Sequence, residues 1–127
     1  MTTAAHKAEW LRNNLKKGET YAGIILGQNG EKDYHLVLLP GEAENCTWSK
    51  AKEFAKKAGG ELPTRREQSL LFANCREHFK PNWYWSGEQP AANSDCAWCQ
   101  HFDHGYQSDY DTYLRLRARA VRRIPIE

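Results

Sequence analysis

Gly59-Gly60-Glu61-Leu62-Pro63-Thr64-Arg65-Arg66-Glu67 closes one helix and opens another, and the rest of the chain can be read outward from it. Upstream, Trp48, Ala51, Phe54, Ala55 and Ala58 recur at helical spacing, Thr47 is placed to cap the first turn, and the Gly-Gly pair supplies the stop. Downstream, Thr64 and Glu67 stand three residues apart as a capping box, which predicts a second helix to about His78. Leu70, Leu71, Ala73 and Cys75 would give that helix a buried side. Arg65 and Arg66 fall in its first turn, where the ordinary expectation is solvated charge and the functional one is a pair of contact residues.

Before these helices, residues 5–16 read as a short helix with Ala8, Leu11 and Leu15 on one face and Gly18 past its end. Residues 21–26 and 34–39 are β-rich apolar runs joined through Gly27-Gln28-Asn29-Gly30, a hairpin signal, and Pro40-Gly41 ends the second. After Pro81 the character changes. Trp83-Tyr84-Trp85-Ser86, 96–102 and 114–124 read as strands, with a polar, aromatic loop between the last two. Helices first and short strands later predict an α+β domain, 1–127 undivided, with the helices to one side of a sheet.

The bulk numbers narrow the function. A chain of 127 residues, 40% hydrophobic, can bury one modest core. Charged residues make up 27% yet nearly cancel, to +2, which argues against a general nucleic-acid binder. No run approaches the ~20 apolar residues that span a bilayer, so no membrane insertion is expected. Met1-Thr2-Thr3-Ala4-Ala5-His6-Lys7 has no signal-peptide character, so the expected place is the bacterial cytoplasm or, after assembly there, a virion. Cys46, Cys75, Cys96 and Cys99 are then read as reduced thiols, with Cys46 and Cys75 as small core hydrophobes. Five tryptophans and six tyrosines crowd toward 83–113; rings with a polar tip are enriched where proteins meet partners.

At this point a resemblance enters. The stretch from Gly60 to Glu67, then Trp83-Tyr84-Trp85-Ser86, Ala97-Trp98, Phe102, Gly105 and Arg117-Ala118-Arg119-Ala120-Val121-Arg122 resemble a family of small prophage and bacterial domains. That family is similar to the C-type-lectin-like fold of formylglycine-generating enzymes and of the variable proteins of diversity-generating retroelements. The resemblance covers 21–123 and implies two or three helices packed beside short antiparallel strands. It does not imply sugar or calcium: Gln89-Pro90 is followed by Ala91, and Trp98 by Cys99-Gln100, where calcium-dependent lectins carry acidic and amide ligands.

The segment 94–113 contains no Lys, Arg, Glu or Met. Apart from Trp98, Gln100 and Gln107, each of its residues can be encoded by a triplet ending in a pyrimidine, the set an adenine-mutagenising retroelement generates from Asn codons. Ala97, Trp98, Gln100, Phe102, Gly105 and Gln107 fit scaffold positions. Of the rest, Asp95, Cys96, Cys99, His101, Asp103, His104, Tyr106, Ser108, Asp109, Tyr110, Asp111 and Tyr113 are the expected ligand-binding residues, in a Tyr/Ser/His/Asp palette of paratope kind. An ordinary polar loop has a similar composition.

Two chemistries compete for these residues. Cys96, Cys99, His101 and His104 are zinc-ligand types, but a strand sets Cys96 on the face opposite Cys99 and His101, so no metal is expected. Gln100 after Cys99 breaks the c-type haem signature. Cys99 beside His101 would suit a thiol enzyme, yet nothing in the sequence lowers the thiol pKa or positions a base, so neither a cofactor nor catalysis is expected. Arg115, Arg117 and Arg119 alternate with Leu114, Leu116, Ala118 and Ala120, and are expected to pair with Asp103, Asp109 and Asp111. The expectation is a phage or prophage module that binds a protein or surface ligand, with a phage protein that blocks a host defence or regulatory component as the alternative.

Overall fold

A computed structural model describes residues 3–127. In chain order the elements are α1 (Thr3–Asn14), β1 (Thr20–Ile25), β2 (Tyr34–Leu38), β3 (Ala43–Cys46), α2 (Trp48–Lys57), α3 (Arg65–Cys75) with a 3₁₀ turn at Arg76–His78, β4 (Trp83–Trp85), β5 (Cys96–His101), β6 (Gln107–Asp111), β7 (Leu116–Ala118) and β8 (Val121–Pro125). The strands form a three-stranded sheet, β1-β2-β8, and a five-stranded sheet, β3-β7-β4-β5-β6. The architecture is α+β, as the sequence predicts.

Both anticipated helix starts are present. Thr47 accepts from Lys50 N–H, and Thr64 and Glu67 form a complete capping box. Glu67 does more than cap. It is fully buried, accepts from Thr64 N–H at 2.8 Å and Tyr34 O–H at 2.6 Å, and takes a two-pronged contact from Arg123, Nε at 2.6 Å and Nη2 at 2.8 Å. Burial pushes its carboxyl up, but Arg123, Tyr34 and Thr64 together hold it below the ordinary carboxylate value. This one residue ties α3 to β2 and β8.

Adjacent residues of β4 point into different cores. Trp85 joins Ala51 and Ala55 of α2, Ala97, Cys99 and Ala118; Tyr84 joins Leu71 and Cys75 of α3, Leu36, Phe102 and Val121. The helices therefore cover opposite faces of the five-stranded sheet, which corrects the expectation of helices on one side. Two-sided cover follows from strand alternation, because both Trp85 and Tyr84 are apolar enough to bury.

Four other expectations change. Residues 114–124 are not one strand: the chain passes from one sheet to the other between Ala118 and Val121, and Leu39 N–H bonds Ala120 O. The supposed loop before it contains β6, paired along its whole length with β5. β3, whose Asn45 has a positive φ of 50°, went unread because Glu44 and Asn45 interrupt any apolar alternation. Ala58 and Ala73 are exposed, since each helix buries a narrower stripe than its apolar spacing suggests. α1 buries no residue fully, Ala8 is exposed, and the helix rests on the sheet mainly through Trp10, whose ring lies 4.1 Å from His35 in a tilted contact and meets Tyr21 edge-on at 5.4 Å.

Candidate binding surface

The segment 94–113 is an antiparallel hairpin. Cys96 pairs with Asp111, Trp98 with Asp109 and Gln100 with Gln107, and the chain reverses through 102–106. At the tip His101 O accepts Gly105 N–H at 2.8 Å while Phe102 turns inward and stacks on Phe79 at 3.9 Å. Gly105 has φ +81°, and a Cβ there would meet the Phe72 ring at 3.0 Å, so the turn needs glycine on both counts.

The residues read as scaffold face inward. Ala97, Gln100 and Phe102 are buried. Gln100 Nε2 donates to Gln68 O at 3.2 Å, and its Oε1 accepts Gln107 Nε2 at 2.8 Å. Gln107 Nε2 also bonds Arg65 O at 2.9 Å, and its Oε1 accepts Arg65 Nε at 3.0 Å. The Arg65 guanidinium lies 3.6 Å over the Trp98 ring. Arg65 is thus a clamp between α3 and the hairpin, which corrects its reading as solvated charge; Arg66 is exposed and donates to Leu26 O.

Of the twelve expected contact residues, Asp95, His104, Tyr106, Asp109 and Tyr113 are exposed and His101, Asp103, Ser108, Tyr110 and Asp111 half-buried, and rings join several of them. Tyr110 lies 5.0 Å from Trp83, Trp83 is 5.0 Å from His101, His101 is 6.2 Å from His104, and His104 is 5.7 Å from Tyr106. Trp83, His101 and Tyr110 are half-buried, and Tyr106 is 67% exposed. Trp83, outside the expected contact set, joins the strip through its place at the end of β4, opposite His101. Asp103 is held by Arg76 and stands 3.1 Å from His104, and its N–H donates to His101 Nδ1 at 3.2 Å.

Asp95, Asp111 and Tyr113 gather at the other end of the hairpin, roughly 14 Å from Gln107 at strand rise. Tyr113 is 72% exposed, and the Asp111 carboxylate beside it raises its hydroxyl pKa. Ser108 is half-buried and Asp109 exposed, between the two ends.

Cys96 and Cys99 do not belong to the surface. Cys99 is fully buried, donates to Ser108 O at 3.3 Å, and has its pKa pushed up to about 12 by burial. Cys96 is 7% exposed and lies 3.4 Å from Asp111 Oδ1. The error has a physical source: β5 is an inner strand with both faces covered, so alternation does not yield an open face. The thiols lie on opposite faces of β5, and among the described residues no group of three or more His, Cys, Asp or Glu is gathered as a metal ligand set.

The C-terminal arginines are engaged elsewhere. Arg117 pairs with Glu42 at 2.5 Å and Glu44 at 3.1 Å, Arg122 with Glu19 at 2.7 Å, and Arg123 with Glu61 and Glu67. Arg119 donates to His78 O and Leu39 O, and Arg115 to Asn45 O. The expected pairing with Asp103, Asp109 and Asp111 is overturned, because β7 lies on the far side of β4 from β6.

A separate cleft of about 560 Å³ opens beside Gln107, between α3 and the β1–β2 loop, with Arg65, Arg66, Glu88 and Glu31 on its walls. Among the described residues no helix is long and apolar enough to cross a membrane. Compared with known proteins, the chain matches no family model and no curated relative.

Proposed function

We propose that the protein is a C-type-lectin-like binding module of phage or prophage type, recognising a protein or surface ligand through the β5–β6 hairpin. The variable protein of a diversity-generating retroelement is the form of this reading that the residue set favours. The observation that carries it is the sorting within 94–113: Ala97, Gln100, Phe102 and Gly105 are built into the fold, while Asp103, His104, Tyr106, Asp109 and Tyr113 are displayed. Tyr and His offer contact area at small entropic cost, and a ring strip with carboxylates around it has the makings of a hot-spot cluster.

Binding without catalysis is the reading of the thiols as well. Cys75, Cys96 and Cys99 all have raised pKa values, Cys75 to about 11, whereas a nucleophilic thiol needs a lowered one. His101 already receives the Asp103 N–H.

The test combines the locus with the surface. A reverse transcriptase gene beside this one, with a near-copy of the segment encoding 94–113, supports diversification; a locus without them removes it. His104, Tyr106 and Tyr113 are then changed together to Ser, with the exposed Ile24 of β1 changed to Ser as a control on the other sheet. A partner captured by the parent protein and by the control, and lost from the triple variant at unchanged circular dichroism, supports the reading. Retention of that partner by the triple variant would refute it.

A further inference from the structure

We infer that the free edge of β6 receives an extended, basic segment of the partner as an added antiparallel strand. The inference rests on the hairpin being the binding face and names the chemistry of what that face takes. It begins with the phase of the ladder. Ser86 N–H bonds Trp98 O at 2.8 Å and Phe102 N–H bonds Asn82 O at 3.0 Å, so Trp98, Gln100 and Phe102 direct their main-chain groups to the β4 side. His101 N–H bonds Tyr106 O at 2.8 Å and Thr112 N–H bonds Asp95 O at 2.9 Å. These bonds flank β6 and fix Tyr106, Ser108, Tyr110 and Thr112 as the residues facing β5. Main-chain groups alternate in direction along an antiparallel strand. Gln107, Asp109 and Asp111 therefore point theirs outward.

Among the described residues no strand pairs there: β6 is the last strand of its sheet, and of the outward groups only Asp111 O is taken, by Leu114 N–H at 3.0 Å. Gln107 and Asp109 each present an N–H and a C=O in the arrangement a new strand would bond, and Asp111 adds an N–H. Exposed edges are a hazard that proteins blunt, commonly with charge, and also a standard site for capturing an extended peptide.

Charge decides between these occupants. Asp95, Asp103, Asp109 and Asp111 lie in a stretch that has no Lys or Arg before Arg115. Among the described residues Asp95 and Asp109 enter no ion pair within 4.0 Å, and Asp111 none either. A second copy paired along this edge would set carboxylate against carboxylate, which is destabilising for directly opposed residues. A Lys or Arg opposite Asp109 and another opposite Asp111 would be favoured for the same reason. Arg65 stands against Gln107, so the position opposite Gln107 should be uncharged. Residues opposite Ser108 and Tyr110 would fall on the face of the ring strip and should be apolar. The pattern is basic, apolar, basic, apolar, uncharged polar, read toward Gln107 from the Asp111 end.

The probe is a labelled peptide, Lys-Val-Lys-Val-Thr-Val, with a counterpart N-methylated at both lysines and the threonine, the residues whose N–H groups would face β6. Anisotropy titrations use the intact protein and its Asp109→Lys variant, and amide exchange is followed by NMR. We expect saturable binding of the unmodified peptide, loss of about tenfold or more on N-methylation, and comparable weakening by Asp109→Lys. The Gln107, Asp109 and Asp111 amides should exchange more slowly in the complex. Equal binding of both peptides, unchanged exchange at those amides, or no saturable binding would each overturn edge pairing. The peptide comparison uses the unmutated protein, so it stands even if the variant folds poorly. Failure here would leave the ring surface to be judged by the triple Ser variant.

Discussion

The α3–β8 junction and the β5–β6 hairpin are both rich in charge, and they use it in opposite ways. At the junction every carboxylate has a cation: Glu67 and Glu61 share Arg123, and nearby Glu19 holds Arg122 in a two-oxygen contact at 2.7 and 2.8 Å. On the hairpin, among the described residues, neither the exposed Asp109 nor its neighbour Asp111 forms an ion pair with a Lys or Arg, and Asp103 is tied to Arg76. The arginines that would balance the hairpin lie on β7, beyond β4, and on β8 in the other sheet, and are committed to glutamates. A nearly neutral chain thus carries a stapled interior and an acidic face, and only the second has charge left over for a partner. Net charge is silent on this; the partition lies in the strand order.

The comparison breaks most forcefully at Glu67. Replacing it with Gln leaves Arg123 half-buried with one fewer countercharge, and removing one member of a buried pair typically costs about 3–5 kcal/mol. Urea denaturation should show a loss of that order, where the surface aspartates show almost none. The pH dependence gives a second reading. The folded carboxyl is held below its unfolded value, so its contribution is present above the unfolded pKa of about 4.3 and is lost as pH falls through the folded one. The gap between the parent and Glu67→Gln should be full near neutrality and narrow progressively below about pH 4. A gap constant down to pH 3 would mean that the charge contributes nothing.

Within the hairpin the same contrast separates Phe102 from Trp98. Phe102 is 2% exposed, stacked on Phe79 and met edge-on by Tyr84 and Phe72, so Phe102→Ala should cost about 3–5 kcal/mol. Trp98 is half-buried, with Arg65 over its ring, and Trp98→Ala should cost about half as much. Equal losses would show that the Arg65 clamp adds as much as the core stack.

How much of this could be read from the chain follows from the range of the forces involved. The capping box, the Thr47 cap, the β1–β2 hairpin and the strand at Trp83 depend on neighbours a few residues apart, and all were legible. The inward placement of Ala97, Gln100 and Phe102 agrees with their reading as scaffold, whereas Cys96 and Cys99, read as contact residues, are buried. What was missed depends on distant partners. The break at 119–120 exists because β7 and β8 pair in different sheets, the burial of Gln68 and Glu67 depends on β4 and β8, and the burial of Cys99 depends on α2 covering one face of β5. Trp83 enters the surface through its distant neighbours His101 and Tyr110. No local periodicity carries that information.

Cys99 sharpens the boundary between scaffold and surface. Its Sγ sits in the α2-side core and donates to Ser108 O. Cys99→Ala trims one polarisable atom and should be mild. Cys99→Ser buries a hydroxyl in an apolar setting and should cost about 1–3 kcal/mol, the usual penalty for a poorly satisfied polar group. Thermal melts of the pair should rank Ala above Ser. The reverse order would mean that the site is wet, and Cys99 would return to the list of contact residues.

The smallest effect is expected where function is proposed. His104, Tyr106 and Tyr113 lie at the hairpin's tip and far end with most of their side chains in solvent, and substitutions at such positions usually change stability by no more than about 0.5 kcal/mol each. Changed singly to Ser, each should leave the melting temperature within a degree or two of the parent, on the order expected for so small a change. Tyr110 is the instructive neighbour. It belongs to the same strip but packs on the core beside Trp83, so Tyr110→Ser should be measurably destabilising. A graded series, with Tyr113 and Tyr106 neutral and Tyr110 costly, would fix where the scaffold ends and the displayed surface begins. Uniformly large losses would make the whole hairpin structural, and the division drawn between the two regions would fail.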